Sequence, residues 1–267
     1  MLRHTFLHVP GIGAKKERDL WGRGYTDWDA FAREHPPGPW RELILERLEL
    51  DRAAADLPRR EAWRLGRELA SRTLFLDIET TGLSLEGDSI TCIGVSDGTT
   101  VNAYVRGENL ARFPEALEGV RLLVTYNGAS FDLPVLARAF PQIDFGRFHH
   151  VDLRFPLHRL GLKGGLKGVE RTLGIDRPDE LADVDGFMAV RLWRAHRAGR
   201  DGALETLVRY CLEDVVNLRP LLAHAYNRLV APLPIAVPPM EAAPRPHIPH
   251  RADGELVQEL LGGARPA

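Results

Sequence analysis

The chain has 267 residues, 44% hydrophobic and 27% charged, which suits one large globular domain or a medium domain with additions and excludes a disordered or fibrous chain. Its net charge of −2 excludes a protein that is basic throughout, so any contact with a polyanion has to come from local patches. No segment approaches the roughly 18 apolar residues of a membrane span and MLRHTFLHVPG is no signal sequence, so a cytoplasmic protein with no membrane partner is expected.

Residues 1–35 read as a small unit. FLHVPGIGAKKERDLW is an apolar segment, a Gly-Ile-Gly turn and a helical pattern. Residues 36–71 read as a helical connector, with leucines among charges before Pro58 and the same style in RREAWRLGRELASR after it. From Arg72 the character changes. RTLFLDI, DSITCIGVSDG and TTVNAYVRG are β-rich runs bounded by Gly and Asp turns, with DGTT as a hairpin turn. ENLARFPEALEG reads as helix in two short pieces, RLLVTY as a strand, FDLPVLARAF as a helix and HHVDL as a fifth strand. LKGVERTLG, DVDGFMAVRLWRAHRAG and ALETLVRYCLEDVVNL read as helices. Residues 231–267 hold eight of the nineteen prolines, so this tail is expected to be extended or disordered, with a short helix over GELVQELLGG. A strand block followed by alternating strands and helices implies an α/β fold with a mixed sheet flanked by helices. Cys92 and Cys211 sit in apolar contexts without metal spacing and read as small core residues.

Three stretches carry chemistry. In FLDIETTGL, Asp77 and Glu79 are two residues apart on a strand and share a face, opposite Leu74, Leu76 and Ile78. Two such carboxylates repel unless a cation lies between them, which a divalent metal supplies; a solvated strand end is the plainer alternative. In VTYNGASFDLPVL, a strand runs into Asn127-Gly128, Ser130 is placed to cap a helix, and Asp132 falls in the first turn. Asp132 alone reads as an acid at a helix N-terminus. In ALETLVRYCLEDVVNL, Tyr210 and Asp214 are four residues apart and point the same way beside an apolar stripe, with Glu213 on a more outward face.

Taken together and in this order, the three stretches resemble the motifs of the DEDD exonuclease superfamily, which has a ribonuclease H-like fold. Tyr210 matches its tyrosine subtype; the histidine subtype would need His where Arg209 stands. The resemblance covers 72–230 and is narrower still to stand-alone ribonuclease H-like domain proteins. It implies a 3′→5′ exonuclease that hydrolyses phosphodiester bonds of DNA or RNA with two divalent ions, Mg²⁺ or Mn²⁺. In that reading Asp77 bridges the ions, Glu79 and Asp214 complete one site, Asp132 holds the other and Tyr210 orients the attacking water. Thr81, Leu83 and Asn127 would lie near the terminal nucleotide. The alternatives are a nucleic-acid-binding module without turnover and a structure-specific endonuclease. The expected partner is nucleic acid with a free 3′ end; no protein partner is indicated.

Lys167, just ahead of a predicted helix, is a candidate for phosphate contact or a solvated lysine. The VPGIGAKK stretch resembles the turn of a helix-hairpin-helix motif, which makes Gly11, Gly13 and Lys15 candidates for phosphate contact, although RHTFLH is short for a first helix. Asp152 reads as a capping or structural acid, and the adjacent His149 and His150 as structural.

Overall fold

The computed structural model describes residues 1–82, 89–181, 184, 186–241 and 243–262. A single 3-10 turn over Leu2–His4 leads into α1 (Ala14–Gly22), α2 (Trp28–Glu34), α3 (Pro39–Leu45) and α4 (Leu50–Asp56). Their starts follow capping chemistry. The Asp27 carboxylate accepts the Ala30 amide, Glu49 accepts the amides of Asp51 and Arg52, and Pro39 opens α3, where its missing N–H costs nothing. After Pro58 the expected α-helix gives way to a 3-10 segment over Arg59–Leu65. Five consecutive residues there, Glu61 to Leu65, are buried, which the one-sided burial of a surface α-helix does not allow.

The β-rich runs then build one sheet. It comprises β1 (Thr73–Thr80), β2 (Ile90–Ser96), β3 (Val101–Val105), β4 (Leu122–Thr125) and β5 (His149–Asp152), in the order β3-β2-β1-β4-β5. β1, β2 and β3 pair antiparallel, while β4 runs parallel to β1 and β5 parallel to β4. The DGTT turn is closed by Asp97, whose carboxylate accepts the amides of Thr99 and Thr100. Parallel strands need crossovers, and these carry the helices over the faces.

α5 (Asp132–Ala139) and a 3-10 segment over Leu110–Leu117 cover one face, where Leu74, Leu76 and Ile78 pack with Phe113, Val135 and Leu136. α6 (Arg154–Arg159) follows β5 at once and was not expected from the sequence. α7 (Gly165–Leu173), α8 (Phe187–Arg197) and α9 (Ala203–Val230) complete the helical layer. α9 crosses the other face and runs 28 residues, through Pro220 and past its expected end near Leu218. The strand face carrying Phe75 joins Val215, Leu218 and Leu222 of α9 in a core shared with the N-terminal helices.

Between α9 and Gly254 the described residues of the C-terminal tail are mostly extended and held against the domain. Met240 exchanges two hydrogen bonds with the Asn227 side chain, at 3.0 and 2.8 Å. Ile248, with Leu256 and Val257 of α10 (Gly254–Gly262), is buried in one cluster with α8 and α9. Proline removes backbone donors and so blocks regular structure. It does not stop the apolar residues between the prolines from burying themselves. No helix of the described residues is long and apolar enough to cross a membrane.

Candidate active site

Asp77 and Glu79 lie on the α9 face of β1. Their antiparallel partners are Gly94 and Cys92, and the register shifts between Glu79 and Thr80, a bulge that ends regular pairing beside the acids. Gly94 is required here. A Cβ at this position would lie 2.8 Å from the Cys211 Sγ and 2.9 Å from a Val215 methyl. Small side chains at Gly94, Cys92 and Cys211 therefore let α9 lie close to β1, which brings Tyr210 and Asp214 to the acids.

The second stretch is shaped by backbone strain. Asn127 is the one non-glycine with positive φ among the described residues, at 65°, a conformation Asn tolerates better than most. Gly128 beside it has no room for a side chain, since a Cβ would lie 2.3 Å from the Thr125 Oγ1. Asp152 holds this loop by accepting the amides of Asn127 at 2.7 Å and Ala129 at 3.1 Å, a structural role in keeping with the sequence reading. His150 meets Thr125 Oγ1 at 2.9 Å, and burial lowers its pKa to about 4. The turn delivers Asp132 to the start of α5, where it is 4% exposed and its Oδ1 has no hydrogen-bond partner.

From α9, Tyr210 and Asp214 are both buried. The Lys167 ammonium donates to the Tyr210 hydroxyl at 2.8 Å and to the Val184 carbonyl, and lies 4.4 Å from the Tyr210 ring centre. Lys167 is therefore committed inside the protein rather than solvated. The sequence reading missed Arg177. Its guanidinium pairs with Asp214 and, through Nε and Nη2, with both oxygens of Glu170 at 2.5 and 2.8 Å.

The charges of these groups act on one another. Burial pushes Asp77 well above the usual carboxylate range, and the charges of Asp132, Asp214 and Glu79 push it further. Glu79 is raised by burial and then by Asp214. Burial lifts Asp132 to about 7, opposed by a hydrogen bond to its own backbone and reinforced by Asp152. Tyr210 is raised by burial and then by Asp214, Glu79 and Asp77. Burial pulls Lys167 down against the attraction of Asp214.

Ligand atoms of Asp77, Glu79 and Cys211 lie within 4.8 Å of one another, with Asp132 and Asp214 outside this tightest group. A hydrogen bond to Cys92, then burial, raises the Cys211 thiol well above its ordinary value, so it stays protonated and acts as a packing neighbour. A divalent metal fits what remains. The available donors are carboxylate oxygens, they repel one another, and a buried oxygen of Asp132 lacks a partner.

The remaining candidates lie elsewhere or do other work. Thr81 closes the loop after β1, donating its amide to the Ser89 carbonyl at 3.0 Å and accepting the Ser89 amide on Oγ1 at 3.1 Å. Leu83 falls outside the described residues. The Asn127 side chain accepts from Arg154 at 2.7 Å. Gly11, Gly13 and Lys15 are exposed in the N-terminal unit and take no part in the hydrogen bonds described around the acids. Gly13 is the N-cap of α1, and the Lys16 ammonium folds back onto the Gly11 carbonyl at 2.8 Å. Among the described residues a 3-10 turn over Leu2–His4 precedes them. Glu213 corrects its expected outward placement. It is fully buried between Arg209, at 2.6 Å, and Arg245 of the tail, because the tail covers a face that α9 alone would expose.

Residues 74–226, more than half of the chain, match the RNase_H superfamily, and the chain belongs to that superfamily. The mixed five-stranded sheet flanked by helices is its ribonuclease H-like fold. No curated protein matches the chain significantly. Among solved structures it is similar to the family B DNA polymerase from the hyperthermophilic archaeon Pyrobaculum calidifontis, at 17% identity and a TM-score of 0.43. That match covers 60% of this chain and 24% of the polymerase chain.

Proposed function

We propose that the chain is a divalent-metal-dependent nuclease of the tyrosine DEDD type, removing nucleotides from the 3′ end of DNA or RNA. The observation that carries this reading is that Asp77, half-buried, and the buried Glu79, Asp132, Asp214 and Tyr210 act on one another electrostatically, with the Asp132 Oδ1 unpartnered. Asp77, Glu79, Asp132 and Asp214 would hold Mg²⁺ or Mn²⁺ by carboxylate oxygens. When bound, the metal lowers the pKa of water and neutralises charge on the phosphoryl oxygens. Tyr210, raised and therefore a neutral donor, would orient the attacking water through its hydroxyl. Lys167 fixes that hydroxyl at 2.8 Å, which makes it a positioning residue. The α9 helix and the Asn127 loop set the spacing, so chemistry of this kind needs little motion of the protein itself.

The test is cleavage of 5′-end-labelled single- and double-stranded DNA and RNA with Mg²⁺ or Mn²⁺, beside Asp77→Ala. The expected result is a ladder shortening from the 3′ end that the variant does not produce. Binding without cleavage under every metal would contradict the proposal. Internal cuts in circular substrates would move it to an endonuclease.

A further inference from the structure

Arg177 belongs to none of the three stretches that mark the acids, yet it sits among them. It follows α7, which ends at Gly174 in the left-handed conformation, with the Ile175 amide donating back to the Glu170 carbonyl at 3.0 Å. The chain then doubles back and lays the Arg177 side chain, 6% exposed, between Glu170 and Asp214.

This guanidinium is built in. Glu170 is 1% exposed and is itself fixed by the Asn217 side-chain amide at 2.9 Å. Arg245 from the tail donates to the Asn217 Oδ1 at 3.0 Å and to the carbonyl of Asp176, the residue before Arg177, at 3.1 Å. The fork on Glu170 uses Nε and Nη2, and Nη2 also serves Asp214. Nη1 is buried without a partner. The fork and the tail therefore resist any swing of Arg177 into solvent, and one oxygen of Asp214 is already engaged.

We propose that Arg177 is a resident cation that neutralises Asp214 and so weakens the uptake of a second divalent ion. The free protein would then hold one divalent ion among the remaining acids, and Arg177 keeps Asp214 fixed. A second ion near Asp214 meets a positive charge in a space of low dielectric, where like charges repel strongly. It enters only when further negative charge arrives, which the phosphate of a nucleic-acid end supplies. Arg177 is a positioning residue in this scheme. The proposal rests on the nuclease reading above and deepens it.

The test is Mn²⁺ binding to the full chain without nucleic acid, counted by titration calorimetry and by electron paramagnetic resonance. The wild type is expected to take up one ion. Arg177→Met is expected to take up two, the second bound more tightly than any second ion of the wild type by on the order of ten- to a hundredfold. Arg177→Lys, which keeps the charge, is expected to stay at one. Because Arg177→Met leaves Glu170 buried and unpaired, the pair Arg177→Met/Glu170→Gln is measured beside it and is also expected to bind two. Two ions of similar affinity in the wild type, or one ion in a folded double variant, would overturn the role of Arg177 and leave the nuclease reading standing. No ion at all in the wild type would overturn both.

Discussion

Two regions of this molecule bury carboxylates, and they treat them in opposite ways. In the N-terminal region Glu17 accepts from the Thr5 hydroxyl at 2.6 Å, the Phe6 amide at 2.9 Å and the Arg64 guanidinium at 3.2 Å. Glu61 accepts from Arg64, Trp63 and Arg159 at 3.0–3.1 Å. Burial still raises the Glu17 pKa, but Arg64 and the hydrogen bonds pull against it. Around Asp77 the nearest charges are other carboxylates, each adding to the effect of burial, and Arg177 is the smaller opposing influence. The first cluster is satisfied by the chain itself and holds helices to the sheet domain. The second is only partly compensated, by Arg177 at Asp214, which marks it as a place that something outside the chain completes.

The largest expected effect breaks the satisfied cluster. Arg64→Met leaves Glu17 buried without its cation and Glu61 with Arg159 alone, and should lower stability by about 3–5 kcal/mol, with or without metal. Denaturant titration checks it, and a loss under about 1 kcal/mol would mean the contrast is overdrawn. In the other cluster the effect should reverse. Asp77→Asn removes a repelling charge, so the metal-free protein should be as stable as wild type or slightly more so, while cleavage falls by more than about a hundredfold. Saturating Mn²⁺ at about 100 times its Kd should raise wild-type stability by about 2.7 kcal/mol, and thermal melts of Asp77→Asn should show little of that gain.

pH separates the regions next. Burial holds the His8 pKa down to about 4 from 6.5, so His8 stays neutral in the folded protein. The unfolded chain takes up that proton first, and stability should fall by about 2–3 kcal/mol as pH drops from about 6.5 to about 4. The site acids act with the opposite sign. Asp132 is raised to about 7, so its stabilising contribution is complete below about 4 and is lost as pH rises towards 7. Stability measured across this range in metal-free buffer should lose its low-pH limb in His8→Gln and its high-pH limb in Asp132→Asn. The smallest effect tests the close approach of α9. Gly94→Ala should cost about 1–3 kcal/mol and reduce the stabilisation by Mn²⁺, because α9 must shift away from β1.

The sequence shows what local periodicity can show. Alternation along β1 puts Asp77 and Glu79 on one face, and helical spacing puts Tyr210 beside Asp214. The strands follow from short β-rich runs and turn residues, while their order in the sheet does not. What it hides depends on contacts between distant segments. Glu170 with Arg177, Asn217 and Arg245 come from three separate parts of the chain, and nothing local in any of them signals that they form one frame around Asp214. Glu213 reads as outward on α9 because the tail that buries it arrives 32 residues later. The 3-10 geometry of Arg59–Leu65 likewise follows from burial on every side, which an α-helical charge pattern masks.

The most direct test of the central claim is a crystal grown with Mn²⁺ and measured for its anomalous signal. The expected result is a manganese peak among the carboxylate oxygens of Asp77, Glu79, Asp132 and Asp214, with the Asp132 Oδ1 no longer unpartnered. A map with no peak there at saturating Mn²⁺, or with its only peak at another site, would contradict the claim that these buried acids are the metal centre of a nuclease.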